Sequence, residues 1–272
     1  MLDGLRSTTE FMARSATSGA RVLPDFLIIG AQKAGTTSLS EYLEQLDAVR
    51  PAFRKEVHYF DHHHTRGEAW YRAHFPRAGE SRDWLAGDAS PFYLAHPKAP
   101  ERAAALLPDA RIVALLRDPV ERAFSHFHHE RALGHEDVET FREAVDREEE
   151  RTAAAWEALA AGAQRRVVAE RCSYVRRGLY APQLRRWLAS YPREQVFVGL
   201  SSDMFADPAG FLTEVTGFLG LGGASLAGLD LAPRNARQYK GIPEEDVAYV
   251  RPMFEQDAAE LAQLLGREIP WA

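Results

Sequence analysis

The segment 25–39 constrains this chain more than any other. An apolar run, Phe26-Leu27-Ile28-Ile29, leads into Gly30-Ala31-Gln32-Lys33-Ala34-Gly35-Thr36-Thr37-Ser38, and helical spacing follows. Glycines let the backbone turn tightly, so that successive N–H groups can face one anion. The following helix brings its positive end to the same point. Lys33 adds a full charge, and Thr36, Thr37 and Ser38 add hydroxyls. Strand, loop and helix together predict a phosphate cradle; the alternative is an ordinary glycine-containing turn. The loop is not a regular Walker A, whose pattern G-x-x-x-x-G-K-[ST] puts lysine after the second glycine. Here Thr36 stands in that place and Lys33 lies inside the loop. The cation should therefore address a different oxygen than the β/γ-phosphates of ATP.

Further apolar runs predict parallel strands at Ile112–Leu116 and Val196–Leu200, with Trp84–Asp88 as a fourth. Val57–Phe60 reads as a fifth strand or only an extended edge. Helical patterns fall at 37–46, 97–107, 119–133, 138–161, 180–190, 208–219 and 244–265. Asp118-Pro119 and Asp207-Pro208 are helix starts, with Asp as the cap and Pro in the first turn. Glu148-Glu149-Glu150 reads as a solvated helix face. Alternating strand and helix predicts an α/β fold, a single domain with a central parallel sheet flanked by helices, P-loop nucleotide-binding-like. With 272 residues, one domain over 23–272 and a flexible N-terminal arm over 1–22 is the better division.

A net charge of −6 gives no global basic field for nucleic acid, so an anionic ligand must be held by a local pocket. Cys172 is the single cysteine, which excludes an intrachain disulfide and a cysteine zinc site and fits a reducing compartment. No signal peptide and no run near the roughly 18 apolar residues of a membrane helix is seen. A cytoplasmic protein without a membrane span is expected. His62-His63-His64 and His126, His128 and His129 lack a metal pattern such as H-E-x-x-H, so no metal is expected. Residues 62–75 read as an acceptor-side loop.

The segment 24–39 resembles the 5′-phosphosulfate loop of sulfotransferases, whose donor is 3′-phosphoadenosine 5′-phosphosulfate (PAPS). Within them it is most similar to the heparan sulfate sulfotransferase type and its bacterial relatives. Lys55-Glu56-Val57-His58-Tyr59-Phe60-Asp61 is similar to that family's K-E-x-H-F-F-D segment, and residues 111–125 resemble its 3′-phosphate element. The likeness continues through Gly178-Leu179-Tyr180, Trp187-Leu188, Asp207-Pro208 and Phe218-Leu219-Gly220-Leu221 to Ile269-Pro270-Trp271. Arg234, Arg237, Tyr239 and Lys240 resemble the basic loop that closes over the 3′-phosphate, though a solvated basic loop remains an alternative.

The resemblance implies a PAPS-dependent sulfotransferase that leaves adenosine 3′,5′-bisphosphate and needs no metal. Gln32, Lys33, Ala34, Gly35, Thr36, Thr37 and Ser38 are then donor-binding residues, with Arg117, Ser125, Tyr180, Arg237, Tyr239 and Lys240. Physical placement supports Arg117 and Ser125, because open α/β sheets bind ligands at strand ends. Alternatively, Arg117 pairs with an acidic neighbour and Ser125 is a surface hydroxyl. Glu56 is implied as general base, and burial beside the donor would suit it to that task. His58, two residues on in an extended segment, is expected on the same side, with Asp61 as a supporting partner. Lys33 is expected to stabilise the bridging oxygen as the S–O bond breaks.

The chain departs from the glycan-modifying members at Ala89, where they often carry lysine, and in lacking their disulfide and membrane anchor. These departures point away from an anionic polysaccharide acceptor and toward a bacterial-type cytosolic enzyme. Small-molecule, carbohydrate and lipid acceptors stay open. Two other classes compete: a P-loop small-molecule kinase using Mg-ATP, and a non-catalytic nucleotide-binding regulatory protein.

Overall fold

Runs of β-branched and apolar residues too short for helices become the strands of one parallel sheet. The computed structural model describes residues 2–79, 82–234 and 241–271. Its strands are β1 (Phe26–Gly30), β2 (Val49–Pro51), β3 (Leu85–Ala89), β4 (Arg111–Leu116) and β5 (Val196–Leu200), in the order β2-β3-β1-β4-β5. Every pairing is parallel. Leu27 stands between Asp88 on β3 and Ile112 on β4. Leu27, Ile28 and Ile29 and all of Ile112–Leu116 are buried, as a sheet covered on both faces requires.

From β1 the chain first builds β2 and β3 on one side, then β4 and β5 on the other. The order reverses beside β1, and the crevice at the carboxyl ends there is where open α/β sheets take ligands. The loops after β1, β3, β4 and β5 all leave from that edge.

Several elements differ from the sequence reading. Residues 57–60 are not a strand; Glu56 and His58 have φ of 53° and 54°, which breaks extended structure. The fifth strand is instead β2, a three-residue edge strand ending in Pro51, too short to show a pattern. The expected 244–265 helix is two, Glu244–Val250 and Pro252–Leu265, because Pro252 has no N–H to continue the first. The 138–161 region likewise divides into Phe141–Asp146 and Glu148–Ala160.

Glu148 does not belong to a solvated face: it is 5% exposed, and its carboxylate accepts the backbone N–H groups of Tyr174, Val175 and Arg176. Where a flexible arm was expected, Leu2–Ala16 is a helix. Arg14 on it donates to the carbonyls of Ala73 (2.7 Å) and Phe75 (2.9 Å), and Phe11 packs against Phe53, Trp70 and His74.

Candidate active site

The loop after β1 turns into the helix Thr36–Glu44 at Gly35, whose φ of 96° is left-handed. A Cβ there would lie 2.8 Å from the Met204 Cε and 2.9 Å from the Phe205 ring, and the left-handed backbone strains any residue but glycine. No side chain caps this helix. Its first-turn N–H groups have no intrahelical acceptors, the feature that lets helix N-termini bind anions. Ser201, after β5, fastens the loop by sitting between the carbonyls of Ala34 and Leu116.

A cavity of about 900 Å³ opens over this helix end, within the range of nucleotide-sized sites. Gln32, Lys33, Gly35, Thr36 and Thr37 line it together with Glu56, Arg117 and Ser125. One cavity thus gathers residues from the loops after β1 and β4, the helix Pro119–Ala132 and the loop after β2. Ala34 and Ser38 are buried beneath the cradle rather than lining it; the Ser38 hydroxyl accepts the Arg234 N–H at 2.9 Å. Tyr180 is buried behind the site and donates its O–H to the Arg117 carbonyl at 2.9 Å. Arg237, Tyr239 and Lys240 lie outside the described residues.

Arg117 has the acidic neighbour that the alternative reading gave it, and it also lies on the cavity wall. It lines the cavity, donates to the Lys33 carbonyl at 3.2 Å, and pairs with Glu121 at 3.0 Å. That half-exposed pair is a weak restraint, readily exchanged for a more highly charged anion. Asp118, also on the cavity wall, caps the following helix with Oδ1 and pairs with Arg251 through Oδ2.

Glu56 is not buried as expected: its side chain is 42% exposed and faces the cavity. The imidazole of His58 lies between two carboxylates, with Nε2 3.3 Å from Glu56 and Nδ1 2.8 Å from Asp61. Burial opposes the charged ring, but Asp61 and then Glu56 outweigh it and push the His58 pKa up to about 10. Asp61 is fully buried, yet the His58 and His62 charges hold its pKa below the usual carboxylate value. The three groups therefore form a carboxylate–imidazolium–carboxylate chain at neutral pH. They meet through left-handed turns, not through an extended segment.

The backbone of this turn is held from β3. Asp88 is 1% exposed and accepts hydroxyl protons from Tyr71 (2.9 Å), Tyr93 (2.9 Å) and Ser90 (2.8 Å). Ser90 and Tyr93 in turn accept the N–H groups of His58 (3.0 Å) and Tyr59 (2.7 Å). Burial raises the Asp88 pKa despite these three donors.

Sequence reasoning assigned no site role to four contributors. Lys55 lines the cavity and donates to Thr37 Oγ1 at 3.0 Å; its place beside Glu56 was the available signal. Arg177 is buried and donates to Gln32 Oε1 at 2.6 Å, which turns the Gln32 amide N–H groups away from it. Burial, then the neighbouring Arg122, pushes the Arg177 pKa down to about 9. No pattern in the sequence marks it. Trp271 and Phe205 add aromatic walls.

Potential ligand atoms of His58, Asp61 and His62 lie within 4.8 Å of one another, a grouping that the histidine spacing did not reveal. His62 also pairs with Glu170 at 2.8 Å and stacks on His58, centroids 4.2 Å apart. Among the described residues, no helix is long and apolar enough to cross a membrane.

The fold and this site define an α/β protein of the P-loop-like nucleotide-binding class. The chain belongs to the sulfotransferase family: residues 23–226 match the model of the sulfotransferase domain. It is 32% identical over 204 residues to human heparan sulfate glucosamine 3-O-sulfotransferase 3B1, across 75% of this chain and 48% of that protein. Membrane-associated sulfotransferase kil1 of Dictyostelium discoideum is 26% identical over 315 residues, across 92% of this chain and 66% of that protein. A solved sulfotransferase from Alicyclobacillus acidocaldarius superimposes with a TM-score of 0.74 at 29% identity, over 92% of this chain and 99% of that one. The chain spans about half the length of the human relative.

Proposed function

We propose that this protein transfers a sulfuryl group from PAPS to a hydroxyl, or amine, of a small-molecule, carbohydrate or lipid acceptor. The observation that carries the reading is that Glu56 and Lys33 line the same cavity as the anion-binding end of the Thr36–Glu44 helix. The cradle over 32–38 would hold the 5′-phosphosulfate, and Arg117 with Ser125 the 3′-phosphate. The donor supplies an activated sulfur.

The remaining work falls to side chains. Glu56 accepts the acceptor's proton as the new O–S bond forms and the S–O bond to phosphate breaks. Lys33 balances the charge that develops on the departing phosphate oxygen, which leaves as adenosine 3′,5′-bisphosphate. His58 already carries its proton at neutral pH, so it is not the base; it orients the Glu56 carboxylate, and Asp61 holds it in place. Positioning and electrostatics dominate, as in phosphoryl transfer.

Glu56→Gln should lose roughly 10²–10⁴-fold in turnover with adenosine 3′,5′-bisphosphate affinity kept. Steady-state kinetics paired with calorimetry checks this, and normal turnover in the variant removes Glu56 as the base. Tight Mg-ATP binding with no affinity for the bisphosphate would defeat the reading in favour of a kinase.

A further inference from the structure

A buried cation lies behind the wall of the cavity. Arg177 is 4% exposed, and among the described residues no carboxylate pairs with it. Glu170, whose field reaches it, is engaged by His62 (2.8 Å) and Arg165 (3.2 Å). Burying a charge without a counter-charge is costly. The guanidinium lies over the Phe92 ring, 5.0 Å from its centroid, and Nη1 donates to the Glu170 carbonyl at 2.7 Å and to Gln32 Oε1 at 2.6 Å. A guanidinium held by ring and carbonyl in turn fixes the amide. Arginine has only donors, so the oxygen must be the Gln32 atom that meets it.

The other end of that amide is left facing away from Arg177. Gln32 lines the cavity next to Lys33, and its Nε2 has no acceptor among the described residues and is not sealed inside the protein. Nε2 carries two N–H groups and no lone pair to offer, so its complement is an oxygen that only accepts. The Glu56 charge also acts on Arg177, which puts this amide on the Glu56 side of the cradle. An in-line transfer carries the sulfuryl group between the oxygen that Lys33 serves and the acceptor that Glu56 serves. Sulfuryl oxygens accept only and are negative, and a cation behind the amide strengthens its donation toward them.

We propose that Arg177 is a positioning residue that acts through Gln32, holding the amide so that Nε2 donates to an oxygen of the donor's sulfuryl group. On the PAPS reading above, on which this role rests, the pair distinguishes the loaded donor from the spent bisphosphate, which has no sulfuryl oxygen to accept.

The test titrates PAPS and adenosine 3′,5′-bisphosphate by calorimetry into the full chain, so no acceptor is needed. Gln32→Met keeps the side chain's length and removes the donor. It should weaken PAPS roughly tenfold or more, as the loss of a hydrogen bond to a charged group does, and leave the bisphosphate within about twofold. Arg177→Met should lower the ratio of PAPS to bisphosphate affinity by about threefold or more, and add nothing further in the Gln32→Met background. Circular dichroism melts establish that each variant is folded. Should Arg177→Met fail to fold, Arg177→Lys decides: its ammonium still donates to Oε1 and should keep the wild-type ratio within about twofold, and a folded Arg177→Lys with the ratio of Gln32→Met overturns the role. An unchanged ratio in Gln32→Met also overturns it. So does an equal loss of both ligands, which marks Arg177 and Gln32 as mere supports of the loop. Wild-type protein that binds neither ligand defeats the PAPS reading itself, whereas binding of both with a ratio indifferent to Gln32 defeats only this role.

Discussion

His58 shows how one residue's charge state is set by partners that sequence can name but not place. Free imidazole titrates near 6.5, and burial alone would lower that value. Asp61 and Glu56 reverse the balance, so the ring enters the folded state charged. A raised folded-state pKa contributes stability that is complete below 6.5 and is lost as pH climbs through about 10. Asp61, shifted downward, contributes above its ordinary 3.8, and that contribution is lost in acid. His62, stacked on His58, Tyr93, packed edge-on against it, and buried Asp88 are further titratable groups around the ring. Thermal melts between pH 6.5 and 10 should therefore show the wild-type protein losing stability more steeply than Asp61→Asn. Parallel curves would remove the ion pair from the explanation. The Glu56–His58–Asp61 grouping was legible from motif order; its left-handed geometry and the exposure of Glu56 were not, because both depend on what holds the turn.

At the scale of elements, that holding comes from β3. Asp88, the penultimate residue of its strand, has its carboxylate buried, and the following loop returns Ser90 and Tyr93 to bond both it and the turn that carries His58. The path runs from Asp88 on β3 to the Glu56–His58 turn in two hydrogen bonds. Tyr93→Phe removes one donor from Asp88 and the acceptor of the Tyr59 N–H, all buried. Leaving such groups unmet costs about 1–3 kcal/mol each. A drop of that order in urea unfolding is expected, with a lower turnover from the loosened Glu56; full activity at reduced stability would limit Tyr93 to a structural role. The long apolar strands β1, β4 and β5 were readable because buried parallel strands carry nearly unbroken hydrophobic runs. β2 was not, being three residues ending in proline. Glu148 misled for the opposite reason: a triple-glutamate run looks solvated, yet its first member is buried under three backbone N–H groups that lie 26–28 residues away.

Over the whole molecule, a chain of net charge −6 must gather its positive charge locally to hold an anion. It does so by converging loops from the carboxyl edge of the sheet on one cavity, where Lys33, Lys55, Arg117 and Arg234 meet the end of the Thr36–Glu44 helix. The alternation of strands and helices made that edge foreseeable in kind. Arg234 stood in a segment that the sequence already marked as a basic loop, whereas the wall formed by Trp271, from the far end of the chain, became visible only once the fold closed.

Because the cavity draws on segments from Gln32 to Trp271, a ligand that fits it links most of the chain and should stabilise the folded state cooperatively. Ligand at about 100 times its Kd adds about 2.7 kcal/mol. For a protein of this size that corresponds to a rise of very roughly 5–10 °C in Tm. Adenosine 3′,5′-bisphosphate should produce such a rise, and adenosine 5′-monophosphate at equal concentration a smaller one, since it offers Arg117 and Ser125 no 3′-phosphate. Arg117→Ala should shrink the difference between the two nucleotides while leaving the monophosphate shift nearly intact. If the part-exposed Arg117 charge holds the second phosphate, added salt should weaken the bisphosphate more than the monophosphate. If Arg117→Ala lowers both shifts equally, Arg117 supports the 31–35 loop through the Lys33 carbonyl rather than reading the 3′-phosphate.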